Sequence, residues 1–472
     1  MKKLTLLSFL VCITYGVFAQ NSPSQHANYF NDFQRTKDTN PDSAIYFLTN
    51  LAMLESNATD DLLHNSFAQS FMLGSREELL KDPEFLAHLK KSNITLDSAR
   101  RKFAEQQSNA YIILDKTKNS VNKQIKENIY PIWKWVEAMK NKDNAIELQK
   151  IGNEYLSYLN RDSDFYSQRK ARYGLMISGI MNKSDQLKPL AVKLQDLIYD
   201  NLNQYISAHS TQNELSREEK MDRAWYRYMF AAINFISAGN TIEKADQNKF
   251  LKLASEFSPD AIDNTVKYAY FYDMFFLFNK EKYSFEEDYL ATIASDDDKL
   301  KMVMAMSMKD PKYKASAKAL YKEPGKFGEY WLTEFNKYGK IAPLISLAKL
   351  DGSIYQMVNN SNRWTLVDFW GTWCSPCRKE HPDLQSTYQK TQDGKLPNLN
   401  IITIASNDNE QAVRAYMKEF SYTFPVAMSD NQIESAYKVA SWPSKFLVSP
   451  QGKYVVIPFG VDWQKYIADY IN

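Results

Sequence analysis

Cys374 and Cys377 stand two residues apart and follow directly on the apolar run Leu366-Val367-Asp368-Phe369, in the order Trp370-Gly371-Thr372-Trp373-Cys374-Ser375-Pro376-Cys377. The pattern predicts a strand running into the first turn of a helix. With Cys374 at the helix start, the two-residue gap brings the second sulfur within disulfide reach across a single turn. The partial positive charge of a helix N-terminus favours thiolate, so Cys374, read as the exposed thiol, is the expected nucleophile. Cys377, one turn further in, would attack the mixed disulfide that Cys374 forms. Half a zinc site and a plain structural staple are the competing readings. Zinc takes about four ligands, and the chain has neither a second cysteine pair nor a His-x(3–5)-His spacing.

The elements that must position this pair can be read on both sides of it. Leu344 to Leu347 and Ser353 to Met357, divided by Asp351-Gly352, predict a hairpin. Thr365 to Trp370 reads as a buried strand, Cys374 to about Gln389 as a helix, and Asn400 to Ala405 as a second buried strand. Asp408 is the expected cap of a helix through Phe420, and Asn431 to Ala440 predicts another helix. Lys445 to Ser449 and Lys453 to Pro458 read as strands joined by Pro450-Gln451-Gly452, before a last helix from Asp462 to Ile471. This succession describes an α/β domain with a central sheet covered by helices.

Before it lies a long helical stretch. Val121, Ile125, Ile129, Ile132, Val136 and Met139 form one helical stripe, which Pro131 is expected to kink or divide. A second stripe runs from Leu187 to Tyr205 with Pro189 in its first turn, and a third from Met221 to Ile236. Asn160 to Asp164 and Ser237 to Asn240 read as stop signals. Asn40-Pro41-Asp42-Ser43-Ala44-Ile45-Tyr46 resembles the start of a helical hairpin, but no 34-residue repeat pattern follows, so a repeat-like arrangement stays open. Gly/Pro punctuation between Asp310 and Ile341 predicts the boundary. The expected organisation is therefore residues 1–19 as a signal peptide, 20–309 as a helical domain, 310–341 as a linker or helical connection, and 342–472 as the α/β domain.

The compartment follows from the amino terminus. Lys2 and Lys3, an apolar run from Leu4 to about Phe18 and Val17-Phe18-Ala19 before Gln20 form a secretory signal pattern with a cleavage site. The run is short of the about 20 apolar residues of a membrane span, so cleavage and export to the periplasm are expected over the alternative of an uncleaved anchor facing the periplasm. Cys12 lies in this run after Val11, a poor lipoprotein context, and no later segment reads as a membrane span. Cleavage leaves Cys374 and Cys377 as the only thiols, which favours redox chemistry over stapling. The net charge of +2 over 472 residues gives no argument for nucleic acid, and 44% hydrophobic content suffices for packed cores. The alternating Met302, Met304, Met306 and Met308 read as core filler before a soft-metal site. His26, His64, His88 and His209 lack metal spacing, and His381 lies nearest the thiols. No metal is expected.

From about 342 to 472 the chain resembles thioredoxin-fold domains of the TlpA/ResA type. The resemblance is carried by Leu366 through Glu380, by Pro382, and by Ser441-Trp442-Pro443-Ser444-Lys445-Phe446-Leu447-Val448. It implies that the mainly helical amino-terminal domain read from the apolar stripes is followed by a thioredoxin fold, and that this fold is a thiol-disulfide oxidoreductase with no cofactor beyond a redox-active Cys374–Cys377 disulfide. It also implies that Pro443 is the cis-proline beside the dithiol and that Trp373, Trp442 and Pro443 meet the substrate. Pro382 matches the proline that kinks the active-site helix. Asp368 matches the buried strand aspartate, whose apolar neighbours should raise its pKa, and Glu380 matches the active-site glutamate. We expect Asp368 to act as general acid/base and Glu380 as its modulator. Peroxiredoxin chemistry is disfavoured, because Thr372 stands two places before Cys374 and the pattern Thr-x-x-Cys requires three.

Two functions are weighed. The first is an exported enzyme that reduces protein disulfides with electrons from a membrane-linked donor. The alternative is a scaffold whose helical domain captures a partner and presents it to a thioredoxin-fold module. Retention of Cys374, Cys377, Asp368 and Pro443 together favours the enzyme.

Overall fold

The computed structural model describes residues 25–471 except 55, 73–79, 161–168, 209–216, 259–272, 274–280, 282–283 and 358–361. The expected signal peptide, the expected stop signal from Arg161 on and His209 lie outside the described residues, as do the side chains of His26, His88 and Met221. The chain forms two compact units, one up to Tyr289 and one from Leu290 onward.

The described residues of the first unit are helical: α1 (Gln25–Thr36), α2 (Pro41–Leu54), α3 (Ser56–Asn65), α4 (Pro83–Lys91), α5 (Leu96–Thr117), α6 (Lys123–Lys140), α7 (Ala145–Asn160), α8 (Lys170–Met181), α9 (Lys188–Ala208), α10 (Arg217–Asn240) and α11 (Lys244–Phe257). Consecutive helices pack as pairs, among them α1 with α2, α8 with α9 and α10 with α11. Ile125, Ile129, Ile132 and Val136 turn one face of α6 into the core, as their spacing requires. Two expectations for this helix change. Val121 lies outside it and is exposed, and Pro131 lies inside a helix that runs unbroken from Lys123 to Lys140. Burial of Pro131 among the apolar residues of that face compensates for the backbone hydrogen bond it cannot make. His64 is buried in this unit with Nδ1 2.8 Å from the Tyr173 hydroxyl.

The second unit begins with helices that the sequence pattern places in the preceding domain and the connection. Here α12 (Asp296–Lys309), α13 (Lys314–Leu320) and α14 (Phe327–Tyr338) contribute Val303, Met304, Ala317, Phe327, Trp331 and Phe335 to the core that also holds Trp364, Leu366 and Leu447. The boundary expected at 310–341 therefore falls inside this unit. Its Gly/Pro residues mark turns between packed helices, with Pro324 opening the short helical turn Pro324–Lys326. Met304 and Met306 are buried on α12.

The sheet combines β1 (Lys340–Ile341), β4 (Trp364–Trp370), β5 (Leu399–Ala405), β6 (Val426–Met428), β7 (Ser444–Val448) and β8 (Lys453–Ile457) in the order β1-β8-β7-β4-β5-β6. Strands β4, β5 and β6 are parallel, and β7 pairs antiparallel with β4. The hairpin β2 (Ser346–Ala348) and β3 (Ile354–Gln356) forms a separate ribbon, its turn closed by Gly352 at φ +83°. Helices α15 (Ser375–Gln392), α16 (Glu410–Glu419), α17 (Ile433–Tyr437) and α18 (Trp463–Ile471) complete the domain. The sequence pattern does not mark strand β6, because Val426-Ala427-Met428 is too short to show an alternation.

Alternation along β4 sorts the site from the rest. Trp364, Leu366 and Trp370 enter the core with Cys374, Cys377 and the described helices α12 and α14, whereas Val367 and Phe369 enter the core on the opposite face with Ile402, Ile404 and Phe446. Asp368, between Leu366 and Trp370 in the same phase, thus faces the dithiol helix.

Candidate active site

Cys374 is the N-cap of α15, with φ −86° and ψ 101°, and its sulfur accepts a hydrogen bond from the Cys377 N–H at 3.2 Å. Pro376 in the first turn has no N–H to leave unpaired there. The turn feeding the helix closes with the Cys374 N–H on the Gly371 carbonyl at 3.0 Å. Cys374 and Cys377 form a disulfide with Cα atoms 5.3 Å apart. Cys374 is only 4% exposed in this oxidised form, more buried than the outward-facing thiol that the motif suggests, because it lies in the core with Trp370 and Leu384. The cap hydrogen bond and the helix dipole both stabilise negative charge on this sulfur once the disulfide is opened.

Pro443 follows a cis Trp442–Pro443 bond. It immediately precedes β7, and the register pairs Ser444 with Phe369 and Lys445 with Asp368, so Pro443 lies beside the carboxyl end of β4 where the dithiol turn begins. Trp373 is half exposed and meets Trp442 edge to face, with ring centroids 5.3 Å apart. Its indole N–H donates to the Ser406 carbonyl at 3.1 Å, and the Ser406 N–H donates to the Trp370 carbonyl at 2.8 Å. Gly371 lies under that indole, where any Cβ would collide with the ring.

Beneath the turn, Asp368 is 1% exposed, and its Oδ1 forms an ion pair of 3.1 Å with Lys445 Nζ. The same Nζ donates to Glu380 Oε2 at 2.5 Å. Burial pushes the Asp368 carboxyl up to about 6, against the opposing pull of Lys445, and Glu380 pushes it the same way as burial. Burial alone would lower the Lys445 ammonium, but Asp368 and Glu380 hold it above its usual value. Glu380 is no freely solvated surface residue: it is tied to Lys445 with its side chain about one-third exposed.

The sequence pattern assigns Lys445 no role. A signal was present all the same: a lysine in the central strand Ser444-Lys445-Phe446-Leu447-Val448 must find a counter-charge if buried. His381, four residues after Cys377 on α15, is buried against Trp370 at 4.5 Å between ring centroids, with Nδ1 2.9 Å from the Tyr416 hydroxyl. Burial, reinforced by Lys445, lowers it to about 3, so it is neutral at neutral pH. Pro382 lies within α15, which continues unbroken to Gln392.

The arrangement supplies a sulfur nucleophile, a second sulfur one turn away, and a buried carboxylate able to carry a proton. Among the described residues no cluster of His, Cys, Asp and Glu could hold a metal ion, and no helix is long and apolar enough to cross a membrane.

The similarities to known proteins fall on the carboxy-terminal part of the chain. The AhpC/TSA family pattern matches residues 338–457. Thiol-disulfide oxidoreductase ResA of Bacillus subtilis (strain 168) is 32% identical over 135 residues, covering 28% of this chain and 74% of that protein. The protein of the same name from Bacillus anthracis is 29% identical over 135 residues, covering 28% of this chain and 76% of its own. The thioredoxin domain of a thiol-disulfide oxidoreductase from Bacteroides vulgatus shows 26% identity and a TM-score of 0.26, with 28% of this chain and 97% of that domain covered.

Proposed function

The chain belongs to the ResA-like thiol-disulfide oxidoreductases, and we propose that it acts in the periplasm as a reductase of protein disulfides. The observation that carries this reading is the Cys374–Cys377 disulfide held at the N-terminus of α15, on the side of the sheet that the buried Asp368 faces. After a donor dithiol has reduced the pair, Cys374 attacks a substrate disulfide and one substrate thiolate leaves. Asp368 then takes the proton of Cys377, whose sulfur bonds to Cys374 while the second substrate thiolate leaves. Two electrons pass from the dithiol to the substrate, and the protein ends as the disulfide.

Trp373, Trp442 and Pro443 line the mouth of the site and would meet the substrate polypeptide; Glu380 modulates Asp368. Export rests on the signal pattern of residues 1–19, and a membrane-linked dithiol is the class of donor that can renew a periplasmic enzyme. No cofactor beyond the two sulfurs is required by these steps.

The purified protein should reduce insulin with dithiothreitol as donor, and Cys374→Ser should abolish this. Turnover by the variant equal to the native rate would sink the reading. Cys377→Ser should instead strand substrates on Cys374 as mixed disulfides, which mass spectrometry would identify.

A further inference from the structure

Lys445 combines deep burial with two acidic partners. Its side chain is 6% exposed, and it touches Asp368 on β4 at 3.1 Å and Glu380 on α15 at 2.5 Å. Its Nζ lies 5.6 Å from the centre of the Trp463 ring on α18. An ammonium in such a place is costly unless it is paired, and one ammonium between two carboxylates leaves an excess negative charge where water is scarce. That excess favours one additional proton.

The other groups around Asp368 do not supply compensating charge. From β5, Thr403 lies opposite Asp368 in the sheet, and its hydroxyl donates to the Pro425 carbonyl. From α15, His381 is neutral and Cys377 is the reacting sulfur. From β8, Ile457 stands opposite Lys445. Lys445 and Glu380 are thus the charges that govern the aspartate.

We propose that Lys445 is a positioning residue of the exchange reaction, whose ammonium joins Asp368 and Glu380 into one unit that holds a single exchangeable proton for Cys377. The proposal rests on the reading of Cys374 and Cys377 as the exchanging thiols. In the step concerned, the Cys377 thiol gives its proton to Asp368 and its sulfur bonds to Cys374. The bond between Cys374 and the substrate sulfur breaks, and the electron pair leaves on the substrate thiolate. Lys445 touches no reacting atom; it fixes the pH at which Asp368 can receive the proton, and Glu380 opposes it. A merely structural lysine would set no such pair of opposite effects.

The test uses the full chain, reduced and freed of reductant, mixed with the aromatic disulfide 5,5′-dithiobis(2-nitrobenzoate). Attack by Cys374 releases a first coloured thiolate and resolution by Cys377 releases a second. The pH profile of the second phase is the readout. In Lys445→Met its inflection should move up by about 1–3 pH units, the scale of losing an opposite charge at this distance. In Glu380→Gln it should move down. Inflections that stay in place while rates fall uniformly, or that move in the same direction in both variants, overturn the proposal. Should Lys445→Met fail to fold, the direction of the Glu380→Gln shift decides alone. Absence of the first phase in the native protein would overturn the dithiol reading itself.

Discussion

Asp408 accepts two hydrogen bonds from Thr372, one from its backbone N–H at 2.5 Å and one from its hydroxyl at 3.0 Å. The carboxylate was expected to cap the helix after β5. Asn409 caps it instead, its Oδ1 accepting from the Gln411 and Ala412 N–H groups, which frees Asp408 to tie the dithiol turn to the loop after β5. Asp408→Ala should therefore loosen the turn before Cys374 and destabilise the fold by about 1–2 kcal/mol, the loss of two hydrogen bonds at a half-buried site. Chemical denaturation and the insulin assay would show both effects; unchanged midpoint and rate would refute the tether.

Asp368→Asn should separate activity from stability. Folding raises this carboxyl from 3.8 to about 6, so between those values the folded form binds more protons than the unfolded one. Its ionisation then costs stability as pH rises through that window, and the cost is complete above it. At neutral pH the Asn variant should be more stable by about 1–3 kcal/mol, yet resolve mixed disulfides roughly 100-fold more slowly. Urea midpoints and single-turnover rates check the two halves.

His381→Phe should blunt acid unfolding. The imidazole is lowered from 6.5 to about 3 by burial, so the unfolded chain binds a proton that the folded chain refuses, and stability is lost as pH falls through that range. A phenyl ring fits the nest of Trp370, Tyr416 and Phe424 without titrating. The loss of stability from about pH 6.5 to about pH 4.5 should shrink by up to about 2–3 kcal/mol, at roughly 1.4 kcal/mol per pKa unit. Only the slope matters, because the lost hydrogen bond with Tyr416 shifts both ends equally.

Gly371→Ala tests the tryptophan at the mouth. The added Cβ meets the Trp373 indole, which must leave the Ser406 carbonyl and the edge of Trp442. Insulin reduction should fall roughly 3- to 10-fold, the scale of one hydrogen bond, with the urea midpoint little changed because Trp373 is half exposed. A native rate would show that Trp373 needs no fixed position.

The parts of this site that were legible in the sequence are those where residue type conflicts with local environment. Two thiols at a helix start and an aspartate inside an apolar strand announce themselves, and β4, α15 and β5 form within a few residues of where the pattern puts them. The partner of Asp368 was not legible, because Lys445 is 77 positions away along the chain and only the β4–β7 register brings the two side by side. The direction of His381 depended on which face of α15 turns inward, and the role of Asp408 on a loop contact across 36 positions. The alternative cap was visible one residue later at Asn409, since Asn and Asp serve as N-caps about equally well.

The aromatic packing around Trp331 has a practical corollary for the redox unit of the molecule. Its ring lies within 6.4 Å of those of Phe335, Trp364 and Tyr470, and its N–H donates to Ser307 on α12 at 3.0 Å. Trp364 opens the same strand that carries Asp368, and the cluster is continuous with Cys374 and Cys377. Excision at Tyr338, where the family match begins, would strip this wall and leave Trp364 and Tyr470 facing water. The compact unit from Leu290 onward keeps this wall whole, and it is larger than the motif alone would lead one to transplant.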